Sequence, residues 1–250
     1  MTDPGDLDVV ALEGAAGDLL AAIMRLEGFD FALVGGLAVM VRLGGGHRVT
    51  NDLDGVFDNP NEDTAATLVT AGVAEPSGDA AGIVIDGTKL DVIDTQPLPA
   101  VVEDVAPDPG DRLFVCAHRY AYEAATPLVV ASAGVTATIR VATPAALVAC
   151  KTHALRFGRP QRRATKRPGD LFDLYRLALD HHDDVVAGLG PALWHLRSQV
   201  AAALHEDLAD LEQAAATLRS SPAAEVAAVG SDDVVDVLGE LLGALAESDR

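Results

Sequence analysis

Two aspartates separated by one residue, Asp52 and Asp54, are the side chains of this chain best suited to chemistry. If the apolar segment that follows them is a strand, residues i and i+2 project from the same face, about 7 Å apart along the chain. Two carboxylates that reach one site suit Mg²⁺, which proteins usually hold with one or two carboxylates together with substrate phosphates. The spacing therefore predicts a metal site that acts on a phosphorylated substrate.

A glycine pair, Gly35-Gly36, precedes these aspartates and ends an apolar run that begins at Phe31. Glycines at a strand-to-helix turn let the backbone approach a ligand closely, and they accept positive φ. The apolar segment at residues 37–43 predicts a helix, whose free N-terminal N–H groups favour a phosphate. The predicted order is thus strand, diglycine, helix, glycine break and a second strand that opens with two carboxylates.

The string from Arg48 to Asp54, at a fixed distance after the glycine pair, resembles the nucleotide-binding signature of the DNA-polymerase-β-type nucleotidyltransferases. More closely, it resembles the AbiEii-type abortive-infection toxins and the related mycobacterial MenT toxins. The resemblance implies an NTP substrate, with Mg²⁺ or Mn²⁺ as the cofactor. It implies nucleotide binding by Gly35, Gly36, Arg48, Thr50 and Lys151. Many members carry Gly-Ser where this chain has Gly-Gly, so the phosphate contact of a serine hydroxyl is missing here.

In the resembled fold a neighbouring strand supplies a third carboxylate. The segment Gly82–Asp94 is the clearest hairpin signal of the chain, because two β-rich runs flank Asp86-Gly87, a strong two-residue turn signal. Asp91 on its second strand is the candidate for the third metal ligand, beside the first two aspartates. Asp94 has the opposite parity and remains the alternative.

A second group of candidate residues lies in the C-terminal half. Lys151 has apolar neighbours one helical turn away on each side, so it either snorkels to solvent or borders a site. The toxin family carries a lysine on this helix and then an Asp-x-x-Asp-Leu segment, which here contains Asp170 and Asp173. The resemblance implies that Lys151 neutralises triphosphate or leaving-group charge. One aspartate would orient Lys151 or a base and the other would hold the helix, and which does which stays open.

The charge of the chain is strongly uneven. A formal net charge of −20 argues against broad binding of the whole chain to nucleic acid or to an anionic membrane. The segment from residue 156 to residue 167 nevertheless holds six of the 18 cations and no acid. Its glycines and prolines predict a loop, which we interpret as a grip for an RNA acceptor, formed by Arg156, Arg159, Arg162, Arg163, Lys166 and Arg167. A solvated loop, or a patch for an acidic antitoxin, is the alternative.

Hydrophobic periodicity and turn residues predict the remaining elements. In the first half they predict helices at residues 7–26 and 61–71, a strand at 112–116 and a hairpin at 127–141. In the second half they predict helices at 145–157, 170–181, 191–218 and 232–247. The predicted fold class is α/β (α+β), with a nucleotidyltransferase-type mixed sheet of about six strands in residues 1–141 and a helical bundle in residues 142–250.

Several weaker signals complete the sequence. Two cysteines form no disulfide framework, the N-terminus lacks the features of a signal peptide, and the longest apolar run is too short to cross a membrane. These features predict a cytoplasmic protein with reduced thiols and no membrane partner. Adjacent histidines cannot easily face one ion, so His181-His182-Asp183-Asp184 is interpreted as a solvated helix end. His47 is a weak candidate for substrate contact.

The predicted function is Mg²⁺-dependent transfer of NMP from an NTP to an acceptor hydroxyl, with metal held by Asp52, Asp54 and Asp91. The resemblance further implies a toxin of a toxin–antitoxin or phage-defence pair, with the 3′ end of tRNA as the acceptor and a cognate antitoxin as partner. Transfer to a small molecule or a protein is the alternative within the same chemistry. A catalytically inactive nucleotide-binding or interaction protein is the alternative from another class.

Overall fold

The computed structural model describes residues 9–44, 47–48, 50, 52–60, 63–78, 82–190 and 195–247. The chain forms two compact units. The first contains Met1–Pro97 and Ala121–Thr143, and the second contains Leu98–Tyr120 and Pro144–Arg250. The predicted division into folding domains between residues 141 and 142 stays a prediction.

The strands of the described residues form one eight-stranded mixed sheet, which belongs to the first unit. They are β1 (Val9–Ala11), β2 (Phe31–Val34), β3 (Asp52–Asp58), β4 (Glu75–Pro76), β5 (Gly82–Ile85), β6 (Thr88–Thr95), β7 (Thr126–Ser132) and β8 (Val135–Val141). Their order is β1-β7-β8-β2-β3-β6-β5-β4. Three pairs are parallel, β1 with β7, β2 with β8 and β3 with β6, and the other neighbours are antiparallel.

Helices accompany the sheet in the first unit and build most of the second. The first unit contains α1 (Ala15–Arg25), α2 (Gly35–Arg42) and α3 (Thr64–Thr70). The chain passes between the units along α4 (Pro109–Glu123). The second unit continues with α5 (Pro144–Phe157), α6 (Pro160–Gly188), α7 (Leu196–Asp207), α8 (Leu211–Arg219), α9 (Pro222–Val226) and α10 (Ser231–Glu247). The predicted fold class, a mixed α/β sheet followed by a helical part, is confirmed.

The strand-to-helix corner after β2 is set by the glycine pair. Gly35 has φ +70°, a conformation that disfavours any side chain, and α2 begins at this residue. The helix is not a surface element, because every residue from Gly36 to Val41 is buried. Burial of α2 on several sides fixes its N-terminus relative to β2 and β3, so the corner is a rigid part of the first unit.

The predicted hairpin is present as β5 and β6. Its two turn residues, Asp86 and Gly87, have φ of 49° and 84°. Positive φ at both central positions is the type I′ geometry, whose twist matches the flanking strands. The turn thereby sets the register of β6, the strand that carries Asp91.

The helix predicted at residues 7–26 is only partly correct, and Leu7 lies outside the described residues. The described part begins with β1, which pairs with Val129–Ala131 of β7, and only then continues with α1. Gly14, at φ +56°, separates the two elements. A strand of three residues whose partner is so distant in sequence leaves no local signal, which is why periodicity extended the helix too far.

The strand predicted at residues 112–116 is wrong, because this segment belongs to α4. The side chain of Asp108 accepts hydrogen bonds from the N–H groups of Gly110 and Asp111, at 2.8 and 3.2 Å, as a helix N-cap does. Leu113, Cys116, Ala117 and Tyr120 are buried at the helical spacing of three and four residues, and toward its end α4 is buried on all sides, from Cys116 to Tyr122. A five-residue window was too short to reveal this period.

Other predicted bounds also shift. The helix predicted at 61–71 begins at Thr64 and is capped by Asp63, while Asn61 lies outside the described residues. The helix predicted at 191–218 is divided into α7 and α8, because the side chain of Asp210 accepts from the Gln213 N–H at 2.9 Å and starts a new helix. Pro191 lies outside the described residues. The regular geometry of the helix predicted at 170–181 does end at His181, whose φ of −136° and ψ of 29° are not helical, and after this kink a second helical stretch of α6 continues to Gly188.

Candidate active site

The three aspartates predicted as metal ligands lie on two neighbouring parallel strands of the first unit. Asp54 of β3 is the register partner of Asp91 of β6, and Asp52 is the register partner of Lys89. Alternate residues of a strand share a face, so these four side chains belong to one face of the sheet. All four are partly buried. The strand register therefore brings together carboxylates that are far apart in sequence.

The alternative third carboxylate, Asp94, occupies a different position. It is exposed and is the register partner of Phe57, on the opposite parity from Asp91. Its Oδ2 accepts a hydrogen bond from the N–H of Thr64 at 3.3 Å, at the start of α3. A carboxylate at this position stabilises the helix N-terminus. The geometry favours Asp91 for the site and assigns Asp94 a role in α3.

The carboxylates lie on neighbouring strands but do not by themselves form a complete set of metal ligands. Among the described residues, no three Asp, Glu, His or Cys side chains are gathered tightly enough to hold an ion by themselves. The Nζ of Lys89 lies 3.2 Å from Oδ1 of Asp91 and offsets part of the negative charge. Mg²⁺ usually keeps waters and phosphate oxygens besides one or two carboxylates. The oxygen donors therefore fit an ion that arrives together with a phosphorylated ligand.

The glycine pair lies directly against this group. A Cβ placed on Gly35 would lie 1.9 Å from Oδ2 of Asp54, which no side chain tolerates. A Cβ on Gly36 would lie 3.0 Å from Oγ1 of Thr50 and 3.2 Å from Nη2 of Arg48. The predicted nucleotide-binding residues of the first unit are thus brought together. The two side chains beside Gly36 take space that the serine of other family members would need.

Replacing Gly35 with alanine is expected to lower both stability and activity. Positive φ alone costs alanine about 1 kcal/mol, and the new methyl group must also displace Asp54. Gly44 provides a matched control, because its φ is +73° and a Cβ there would meet nothing within 4 Å. Thermal melting and turnover of both variants should show Gly35→Ala as the more damaging. Equal melting temperatures and equal turnover would mean that Gly35 supports only the turn.

The second unit contains a buried lysine between two carboxylates. The Nζ of Lys151 on α5 lies 2.7 Å from Oδ1 of Asp170 and 2.7 Å from Oδ2 of Asp173, both on α6. The side chain of Asp173 is fully buried, and those of Lys151 and Asp170 are 9% and 12% exposed. Both aspartates therefore orient Lys151. The sequence alone left open which of the two would do so. The group joins α5 to α6 by charge-assisted hydrogen bonds.

The basic segment is not a loop, which corrects the prediction made from its glycines and prolines. After Gly158 and Arg159, α6 begins with Pro160 at a position where its missing N–H is not needed. Pro168 removes one helical hydrogen bond, but α6 continues through it. Residues 160–167 therefore form the first two turns of a helix.

Arg156 and Arg167 of the basic segment are paired with acids of the same unit. Arg156 pairs with Glu206, and Nη1 of Arg167 lies 2.9 Å from Oδ2 of Asp207, at the end of α7. Lys166 and Arg159 are exposed, while the side chains of Arg162 and Arg163 lie outside the described part. The sequence did not indicate the pairing with α7, because the acids follow the basic segment by about 40 residues.

Sequence analysis also missed Lys89 as a site residue. Its signal was available in the hairpin, because Lys89 stands two residues before Asp91 and has the same strand parity. A lysine on a strand is ordinarily a solvated residue, and only the register with Asp52 places it among the carboxylates. This register could not be read from the sequence.

The diglycine corner thus lies against Asp54, whose register partner is Asp91, as the sequence predicts for a nucleotidyl-transfer site. The sequence model of one family, described as nucleotidyl transferase AbiEii toxin, Type IV TA system, matches residues 18–245. The match covers most of the chain, and the chain belongs to this family. The protein is therefore a nucleotidyltransferase of the toxin type, as the resemblance to the AbiEii toxins implied; the likeness to the MenT toxins stays a prediction.

Comparison with solved structures and curated proteins adds little to this assignment. The chain is similar to an antigenic nucleotidyltransferase-like protein from Paracoccidioides brasiliensis, with 16% identity and a TM-score of 0.43, over 81% of this chain and 93% of that chain. No curated protein matches the sequence. In the described part of the chain, no helix is both long enough and apolar enough to cross a membrane.

Proposed function

We propose that the protein transfers a nucleoside monophosphate from an NTP to a hydroxyl of tRNA, with Mg²⁺ or Mn²⁺ as cofactor. The observation that carries the proposal is the register of Asp54 with Asp91 beside the diglycine corner. Family membership supports the transfer reaction. The oxygen donors support the metal, and the basic composition of residues 156–167, with Lys166 exposed on α6, supports the RNA acceptor.

The residues of the first unit have distinct roles in this proposal. The backbone at Gly35 and Gly36 lets the triphosphate approach the N-terminus of α2, where N–H groups bind phosphate oxygens. Arg48 and Thr50, which pack beside Gly36, orient the phosphates. Asp52, Asp54 and Asp91 would hold the divalent ion. When bound, such an ion stabilises charge on the α-phosphate and activates the acceptor hydroxyl.

In the proposed reaction the acceptor oxygen forms a bond to the α-phosphorus as the bond to the bridging oxygen breaks, and pyrophosphate leaves. Lys151 was predicted to neutralise phosphate charge, but its ammonium is already bound to two carboxylates. The role of Lys151 toward phosphate therefore stays a prediction that the resemblance implies.

The proposal is tested by incubating the protein with each labelled NTP, Mg²⁺ and total tRNA, and separating the products on a denaturing gel. We expect label on tRNA, and none in a parallel reaction with EDTA. Label on a protein or on a small-molecule product would show that the acceptor is a protein or a small molecule and not tRNA. Label that is transferred equally well with EDTA would exclude the metal.

A triple variant of the basic helix should bind tRNA more weakly and with less dependence on salt. Arg162, Arg163 and Lys166 are changed to serine, while Arg167 is kept because it pairs with Asp207. The slope of log K against log [salt] is expected to fall by about 2, since each phosphate contact on a single strand contributes about 0.7. The measurement is tRNA binding by fluorescence anisotropy across a salt series.

The control for this variant removes three exposed or half-exposed arginines elsewhere, Arg25, Arg176 and Arg219, and so changes the net charge equally. We expect its salt slope to stay near that of the wild type. Equal slopes for the two triple variants would contradict an RNA grip on α6.

In the proposal the protein acts in the cytosol, where NTPs and tRNA are found, and a cognate antitoxin restrains it.

A further inference from the structure

A lysine stands among the carboxylates of the candidate active site. Lys89 is the register partner of Asp52, and its Nζ lies 3.2 Å from Oδ1 of Asp91 on the same strand. Its side chain is 41% exposed, and that of Asp91 is 20% exposed. The ammonium therefore lies at the open side of the carboxylate group, where a cation from solvent would also arrive.

The neighbouring strand leaves room for this arrangement. Gly82 of β5 is the register partner of Asp91. A Cβ added at Gly82 would lie 3.0 Å from Cε of Lys89, so the end of the lysine stem takes space that a side chain at residue 82 would need. The stem of Lys89 thus lies against Gly82, and its ammonium reaches Asp91 along the same strand.

Three carboxylates on one sheet face repel one another unless a cation is near. From this geometry we infer that Lys89 is the resident counter-ion of the site, which holds Asp91 while no divalent ion is bound and must release it when one binds. Lys89 is thus a positioning residue that acts through Asp91, and its competition lowers the affinity for free divalent ions. The inference rests on the proposed metal-dependent function.

The test is the affinity for Mn²⁺ without nucleotide, measured by calorimetric titration of the purified full chain. Lys89→Met keeps the length of the side chain and removes its charge. We expect this variant to bind Mn²⁺ about fivefold more tightly than the wild type, a modest gain because solvent screens a half-exposed ammonium. Lys89→Arg keeps the charge and should restore an affinity near that of the wild type.

Two further variants separate a local effect from a general one. Arg25→Met removes one cation from the same unit, at an exposed pair with Asp86 whose atoms are 3.6 Å apart, and should leave the Mn²⁺ affinity unchanged. Asp91→Asn should lose most of the binding, which shows that the titrated ion is the one at this site. Thermal melting of each variant confirms that it is folded.

The outcomes distinguish this inference from the function on which it rests. A wild type that binds Mn²⁺ and a Lys89→Met variant with the same affinity would overturn the counter-ion role and leave the metal site in place. If neither the wild type nor Lys89→Met binds Mn²⁺, either alone or together with a non-hydrolysable NTP analogue, both the metal-dependent function and the role of Lys89 are wrong. If Arg25→Met raised the Mn²⁺ affinity as much as Lys89→Met does, the gain would be an effect of net charge. This result would also overturn the counter-ion role of Lys89.

Discussion

Asparagine in place of Asp54 is expected to lower nucleotidyl transfer by about a thousandfold, because loss of a metal ligand removes several kcal/mol of transition-state stabilisation. Asp54 is the residue on which the site converges, since it is paired in register with Asp91 and lies against Gly35. The substitution keeps the shape of the side chain and removes one of the clustered negative charges, so stability should not fall. Single-turnover transfer and thermal melting measure the two effects.

Asp58→Asn is the matched control for this prediction. Asp58 ends the same strand and is exposed, so its replacement changes the same chemical group outside the carboxylate cluster. We expect its turnover to stay within about twofold of the wild type, in line with the small effects of most surface substitutions. If Asp54→Asn and Asp58→Asn have comparable turnover, the assignment of Asp54 as a metal ligand is wrong.

Replacing Lys151 with methionine is expected to lower the free energy of unfolding by about 3–5 kcal/mol, the usual cost of removing one partner from a buried ion pair. The two carboxylates would be left together in an interior where Asp173 is fully buried. Because Lys151 is paired with both aspartates, stability and transfer should both fall.

Urea unfolding measures the effect, with Arg176→Met as the control. Arg176 and Asp180 form a partly exposed pair on α6, the helix that also carries Asp170 and Asp173. Breaking such a pair should cost at most about 0.5 kcal/mol. The double variant Lys151→Met/Asp173→Asn should recover part of the lost stability, because it leaves only one uncompensated carboxylate. A loss in Lys151→Met as small as that in Arg176→Met would show that the three groups are not a buried unit in solution.

The parts of the site that could be predicted are those with local signals. Gly35 and Gly36 carry their own conformational preference, and Asp86-Gly87 specifies a hairpin without help from the rest of the chain. The resemblance placed Asp91 on the second strand of that hairpin. In each case a short stretch of sequence contains the physical cause of the structure. The residue roles themselves remain predictions until the variants are measured.

The parts that could not be predicted depend on pairing between distant segments. The three-residue β1 exists because Val9 pairs with Val129, and no property of residues 9–11 indicates this partner. The position of Lys89 beside Asp52 follows from the parallel register of β3 and β6. The helical state of the basic segment depends on how Pro160 is placed, since proline favours a helix start as well as a loop.

The two units alternate along the chain, and this order has a consequence for folding during synthesis. Strands β2, β3 and β6, which carry the glycine pair and the three aspartates, leave the ribosome early, whereas β7 and β8 follow only after Leu98–Tyr120, a stretch that belongs to the other unit. Pairings between such distant segments form slowly. A chain that ends between residues 96 and 125 therefore holds every predicted metal ligand but lacks the strands that pair with β1 and β2. We therefore expect such an incomplete product of this toxin to be inactive, because its sheet cannot be completed.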